Sequence, residues 1–230
     1  AYGVDHMTVE TALLLARGQL KGVLTDTSLE NIAAAKDAVN HIVERGKTVY
    51  GVNTGFGSLC TTVISAKDTK KLQENILRSH SVGVGEPVSD VITRLMLSLK
   101  AHALARGYSG VSASTVKRII WHLEHNILPV VPAKGSVGAS GDLAPLAHLF
   151  LPLLGLGLVK HKGNVLESKT VLKDKGISAL ELGPKEGLAL INGTQFMAAQ
   201  AVLALDRMLN CLNIADIIAG LTLESLLGSD

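Results

Sequence analysis

Residues 135–148 read Gly-Ser-Val-Gly-Ala-Ser-Gly-Asp-Leu-Ala-Pro-Leu-Ala-His. Small residues fill the first half and an apolar helical pattern the second. The core, Gly138-Ala139-Ser140-Gly141-Asp142, is not a nucleophile elbow, because G-x-S-x-G needs glycine where Asp142 stands. Two readings fit these residues. In one, a Ser/Gly turn leads to Asp142 as the N-cap of the next helix. In the other, a strained tight turn brings the nitrogen of Gly141 to the carbonyl carbon of Ala139. Cyclisation with loss of water then follows, and Ser140 loses its hydroxyl to leave an exocyclic methylene. Spacing alone does not choose between them.

Downstream, Leu143 to Val159 is free of Asp, Glu, Lys and Arg but holds Pro145, Pro152, Gly155 and Gly157. It is shorter than the roughly 20 residues that cross a bilayer, so a buried helix breaking at Pro152 is expected. Leu158 to Glu167 reads as a short hairpin turning at Lys162-Gly163-Asn164. Pro184 suits the first turn of a long helix from near Lys185, whose spacing persists, with interruptions, to Leu227. Upstream, Thr27 and Glu30 fit a capping box for a helix with Leu29, Ile32, Ala35, Val39 and Ile42 on one face, stopped by Gly46. Further helices are expected over Ala66 to His80, over the stripe Ile92, Leu95, Met96 and Leu99, and from a Ser114 cap through Leu123. Pro129 and Pro132 bracket an extended segment. The expected fold is mainly α with one small β-hairpin.

The 230 residues suffice for one sizeable core and the start of a second domain. Lys plus Arg number 22 against 20 Asp plus Glu, and the two signs are interspersed, so no basic stripe for nucleic acid is present. An apolar fraction of 47% excludes intrinsic disorder. Cys60 and Cys211 form neither a disulfide framework nor a zinc cluster, a usage that suits the cytoplasm. Ala1 to Glu10 lacks the pattern of a signal peptide. His122 and His125 lie at i, i+3 without H-E-x-x-H, so no metal is expected. No membrane partner is expected either.

Three other stretches could carry chemistry. Tyr50 to Gly57 is Y-G-V-N-T-G-F-G, where glycines permit conformations closed to other residues. It is either a tight turn or a loop presenting the Tyr50 phenol as acid or base. Neither phosphate-binding glycine motif is present. Ser79-His80 precedes the loop Val82-Gly83-Val84-Gly85. Ile191-Asn192-Gly193-Thr194-Gln195 breaks an apolar helical pattern, as a kink with exposed amides or as a bend that presents Asn192 to a pocket.

Together YGVNTGFG (50–57), SHSVGVG (79–85), GSVGASGDLAPLAH (135–148) and NGTQ (192–195) resemble, in order, the motifs of the aromatic amino acid ammonia-lyase family, and its histidine-type members most of all. The resemblance implies an ammonia-lyase-like N-terminal domain over 1–183 and, over 184–230, the first long helices of a central helical bundle. It implies that Ala139, Ser140 and Gly141 cyclise into methylidene-imidazolone (MIO), a protein-derived electrophile, with no external cofactor. Gly138 and Asp142 would support that loop. Tyr50 would take the β-proton of an amino-acid substrate, and Asn192 would contact electrophile and substrate. Ser79 and His80 would read the side chain, where the family's phenylalanine lyases resemble Phe-Leu and its tyrosine lyases His-Leu. The implied reaction is L-histidine to trans-urocanate plus ammonia. A tyrosine or phenylalanine lyase, an aminomutase, or a silent fragment that only folds and associates are the alternatives. Family members are roughly twice as long and form homotetramers, so the chain resembles an N-terminal half. Its last apolar stripe, including Ile214, Ile217, Ile218, Leu221 and Leu223, predicts an oligomer or poor solubility.

Overall fold

Helix α4 (Asp90–Ala105) is the axis on which the other elements pack. It opens at Ser89, whose Oγ accepts from the Ile92 amide. Leu95, Met96, Leu97, Ala101 and Leu104 are buried on more than one side of it. Helices α1 (Val9–Ala16), α2 (Asp26–Glu44) and α5 (Ala113–Glu124) surround it. The computed structural model describes residues 1–46, 48–55, 66–138 and 141–229.

Two helix starts differ from the sequence expectation. α2 begins two residues earlier, with Thr25 as its N-cap and Ser28 closing the box. Ser28 is fully buried and its hydroxyl also reaches the Tyr2 carbonyl, a place where a Glu would not fit. α5 is capped by Ser112, not Ser114, because Ser112 Oγ accepts from the Thr115 amide. α3 (Ala66–His80) has the expected bounds.

The β structure is richer than one hairpin. β1 (Val84–Pro87) pairs antiparallel with β3 (Pro132–Lys134), so Val84 and Gly85, expected in a loop, lie in a strand. β2 (Leu128–Pro129), β4 (Leu158–His161) and β5 (Asn164–Glu167) form a second sheet in the order β2-β4-β5. The hairpin between β4 and β5 turns at Lys162 and Gly163, both at positive φ, as a two-residue hairpin turn requires. Strands of two to four residues carry too little alternation to be read in advance.

α6 (Leu143–Phe150) follows the small-residue loop and passes into a 3-10 turn over Leu151–Leu154, so the break falls at Pro152 as expected. Leu146, Leu149 and Phe150 are fully buried, which places this apolar run in the core. α7 (Ser168–Asp174) seals a smaller cluster of Ile127, Val159 and Val171 beneath Trp121. α8 (Glu186–Ile191) is short, and the bend at 192–194 separates it from α9 (Gln195–Ser225). α9 packs on α4, α1 and α6, but all its residues from 207 to 225 are exposed. Replacing the fully buried Leu146 by Ala should cost about 2–5 kcal/mol, seen as a lower urea midpoint at unchanged m-value.

Candidate active site

The Ser136–Asp142 loop leaves β3 and enters α6, and it is closed at its base. Ser136 Oγ donates to Asp142 Oδ1 at 2.7 Å, across the loop. The other carboxylate oxygen, Oδ2, accepts from the Met197 amide at 2.9 Å. Met197 lies in the first turn of α9, whose own N-cap, Thr194, provides no side-chain cap. Asp142 therefore stands at the N-cap position of α6 but caps α9 instead, putting a fully buried carboxylate on the positive end of that helix. The expected cap was the right residue on the wrong helix.

The loop is pinned a second time by the backbone. The Asp142 amide donates to the Gly193 carbonyl at 2.7 Å. Gly141 has φ +110°, and a Cβ there would lie 2.5 Å from the Gly193 oxygen, so only glycine fits. Gly138 is also left-handed, at φ +67°. Ala139 and Ser140 lie outside the described residues. Two motifs more than 50 positions apart, 138–142 and 192–195, are thus joined in space.

The Asn192–Gly193 bend is held by remote partners. Asn192 ends α8 and its side chain is exposed, while its own amide donates to the Leu188 carbonyl. At the other end of α8, Gln73 Oε1 accepts from the amides of Gly187 and Leu188, at 2.9 and 3.3 Å. The buried Glu186 carboxylate accepts from Gly183 N, Thr115 Oγ1 and Ser112 N. Sequence reading missed Gln73 and Glu186, since nothing in their spacing marks them as caps for a helix elsewhere in the fold.

Ser79 and His80 close α3, and the chain runs on from them into β1. His80 is half-buried, with Nδ1 at 2.8 Å from the Ile76 carbonyl. A carbonyl only accepts, so Nδ1 is the donor there, and in the neutral ring Nε2 is then the acceptor. Ser79 Oγ donates to the same carbonyl at 3.2 Å. Beyond them, the Gly83 amide donates to His148 Nε2 at 3.0 Å. His148 belongs to α6, and burial holds its pKa below the ordinary value, favouring the neutral ring that this bond needs. The strand pairing and this bond fix the 83–87 segment against both flanks of the small-residue loop.

Tyr50 sits in the turn 49–54, more than half exposed. Asn53 Oδ1 accepts from Val49 N, and Thr54 Oγ1 from Gly51 N, around Gly51 at φ +74°. Gly57, which completes the motif, lies outside the described residues, as does Cys60. Among the described residues no group of three or more His, Cys, Asp or Glu side chains could hold a metal. The contacts of the described residues join the small-residue loop to the 192–197 bend and, through His148, join α6 to Gly83.

Asp142→Ala would leave Ser136 Oγ and the Met197 amide without their shared acceptor. It should cost about 3 kcal/mol, as expected for two hydrogen bonds to one charged group. Asp142→Asn, which keeps one acceptor oxygen, should cost less. Urea denaturation of the three proteins checks both the size and the order.

Known proteins share this fold. The chain is 44% identical to histidine ammonia-lyase of Clostridium tetani over 97% of its length, covering 44% of that protein. Its fold matches histidine ammonia-lyase from Trypanosoma cruzi with a TM-score of 0.89 at 35% identity, over 97% of this chain and 44% of the other. It matches tyrosine aminomutase from Streptomyces globisporus equally well, with a TM-score of 0.89 at 34% identity, over 95% of this chain and 41% of that one. The chain thus spans a little under half the length of the relatives it matches. Residues 7–230 carry the pattern of the aromatic amino acid lyases, and the chain belongs to that family.

Proposed function

We propose that this chain is the N-terminal part of a carbon–nitrogen lyase that converts L-histidine to trans-urocanate and ammonia. The observation that carries the reading is the double clamp on the 138–142 loop, by Asp142 on Met197 and by Gly193 against Gly141. A loop closed at its base and pinned at Gly141 and Asp142 favours intramolecular ring closure, since orientation lowers its entropic barrier. In that closure the Gly141 nitrogen bonds to the Ala139 carbonyl carbon. The carbonyl oxygen leaves as water with the hydrogens of the Gly141 and Ser140 nitrogens. Ser140 then loses its Cα hydrogen and hydroxyl as a second water. Gly141 fits the product's demands, because no side chain is tolerated where it lies against Gly193.

The resulting methylidene-imidazolone supplies an electrophile for the substrate amine, making nitrogen a better leaving group, with no external cofactor. Tyr50 accepts the β-proton. A phenol with an ordinary pKa near 10 serves at neutral pH only where its surroundings favour the phenolate. His80 Nε2, left as an acceptor by the Ile76 contact, receives the N–H of a substrate imidazole, with Ser79 beside it. Asn192 turns its amide to the substrate. The substrate is a small amino acid, and neither nucleic acid nor a membrane takes part. Residues 1–183 carry the electrophile and 184–230 begin the helical core of the assembly.

That assembly is a homo-oligomer, a tetramer by analogy with the family. The exposed face of α9, with Leu205, Met208, Leu212, Ile217, Ile218 and Leu221, supports association. By length and composition alone, Glu186–Ser225 could cross a membrane. Its uncharged part, residues 187–205, is bent at 192–194 and packs through α8 and α9 on α3, α4, α1 and α6, so protein is the better cover. A cytoplasmic setting goes with this reading, and the exposed free thiol of Cys211 supports it.

Intact mass tests the chemistry directly. Loss of two waters, about 36 Da, is the expected result, and an unchanged mass would exclude this electrophile. In the complete, assembled enzyme, histidine should yield urocanate. Cinnamate or coumarate from phenylalanine or tyrosine, with no product from histidine, would sink the substrate assignment. Tyr50→Phe should lower kcat by about 10²–10⁴-fold. For assembly, light scattering of this chain at micromolar concentration should report an oligomer; a clean monomer would count against it.

A further inference from the structure

Lys100 is a cation in the wrong place for an ordinary lysine. It lies inside α4, only 2% exposed, among the largest side chains of the core. Among the described residues no carboxylate pairs with it. Its Nζ donates one hydrogen bond, to the Asn192 backbone carbonyl at 2.9 Å. Burial lowers its pKa to about 7, so the amine is held at an energetic cost that a leucine or methionine would not incur. Packing alone gives no reason for a polar head at that depth.

The partner supplies the reason. The carbonyl that Lys100 holds belongs to the peptide joining Asn192 to Gly193. The next carbonyl, that of Gly193, accepts from Asp142 N, and the Gly193 backbone walls off Gly141. Gly193 has φ +155°, a conformation that L side chains rarely adopt, and Asn192 leaves helical geometry at ψ 119°. The bend thus has no helical hydrogen bond of its own at the Asn192 carbonyl, and Lys100 provides one from the core.

We propose that Lys100 is a positioning residue: its amine fixes the Asn192–Gly193 peptide, and through it both the Asn192 side chain and the far end of the electrophile loop. The role of Asn192 and of residues 139–141 in this inference rests on the lyase reading above; the mechanical link does not.

The test is Lys100→Met, which keeps the stem and removes the donor. Thermal melting should show a folded protein, since exchanging a buried charge for an apolar side chain of similar size is often neutral. Hydrogen exchange should quicken at the Asp142 amide about fivefold or more, the size of one hydrogen bond's net contribution, and less elsewhere in α4 and α5. The fraction of chains lacking two waters should fall in parallel. Should Lys100→Met not fold, Lys100→Gln, with a shorter donor, is read in the same way. Exchange at Asp142 equal to that of the unaltered protein would overturn the inference. So would exchange that rises evenly over α4 and α5, the mark of a packing defect. If the unaltered protein never loses the two waters, the lyase reading fails, while the exchange difference still decides the role of Lys100.

Discussion

The Asp142 carboxylate is the constraint on which the arrangement depends. A fully buried carboxylate is tolerated only where donors replace its water. Here Ser136 Oγ and the Met197 amide do so, and the positive end of α9 adds a favourable field. One side chain therefore satisfies three demands. It closes the small-residue loop, it caps a helix that has no cap of its own, and it ties β3 and α6 to α9. A longer carboxylate would move the loop away from Gly193, and an apolar residue would leave two donors unsatisfied in a dry interior.

A series of polar side chains fixed on helices other than those they serve completes the site. Gln73 of α3 satisfies amides in the first turn of α8, and Glu186 of α8 satisfies the Ser112 amide at the start of α5. His148 of α6 receives the Gly83 amide just ahead of β1. These groups gain from burial, where a satisfied hydrogen bond is stronger than in water and an unsatisfied one is costly. The apolar core around α4 provides cohesion without direction. The buried polar contacts supply direction, and they converge on the two short segments that carry Gly141 and Asn192.

Helices were legible in the sequence where their apolar stripes were long, as in α3 and α4. Their caps were less so. Thr25 and Ser112 each stand two positions before another hydroxyl residue with a plausible claim, and only tertiary partners separate them: Tyr2 for Ser28, Glu186 for Ser112. The strands β1, β2 and β3 were hidden because two to four residues hold no readable period. In the site, the glycine-rich motifs stood out by composition, and their order carried the family resemblance. What composition could not show was the joining of 138–142 to 192–197, because a backbone-to-backbone bond such as Asp142 to Gly193 leaves no trace in residue identity. The burial of Lys100 was equally hidden, since lysine on an amphipathic pattern reads as a solvated face.

The exposed part of α9 bears on the same constraint. A helix of 31 residues is about 46 Å long at 1.5 Å per residue, and only its first turns rest on the core. Helices draw most of their stability from packing, so the residues from 207 onward have, in a lone chain, little beyond their own backbone bonds. The Met197 amide that holds Asp142 belongs to the first turn of this rod. Covering the apolar stripe in the assembled enzyme proposed above would order the rod along its length and limit fraying toward that first turn. Association and the rigidity of the electrophile loop would then be coupled through one continuous element, and the geometry that favours ring closure would be firmer in the assembly than in an isolated chain.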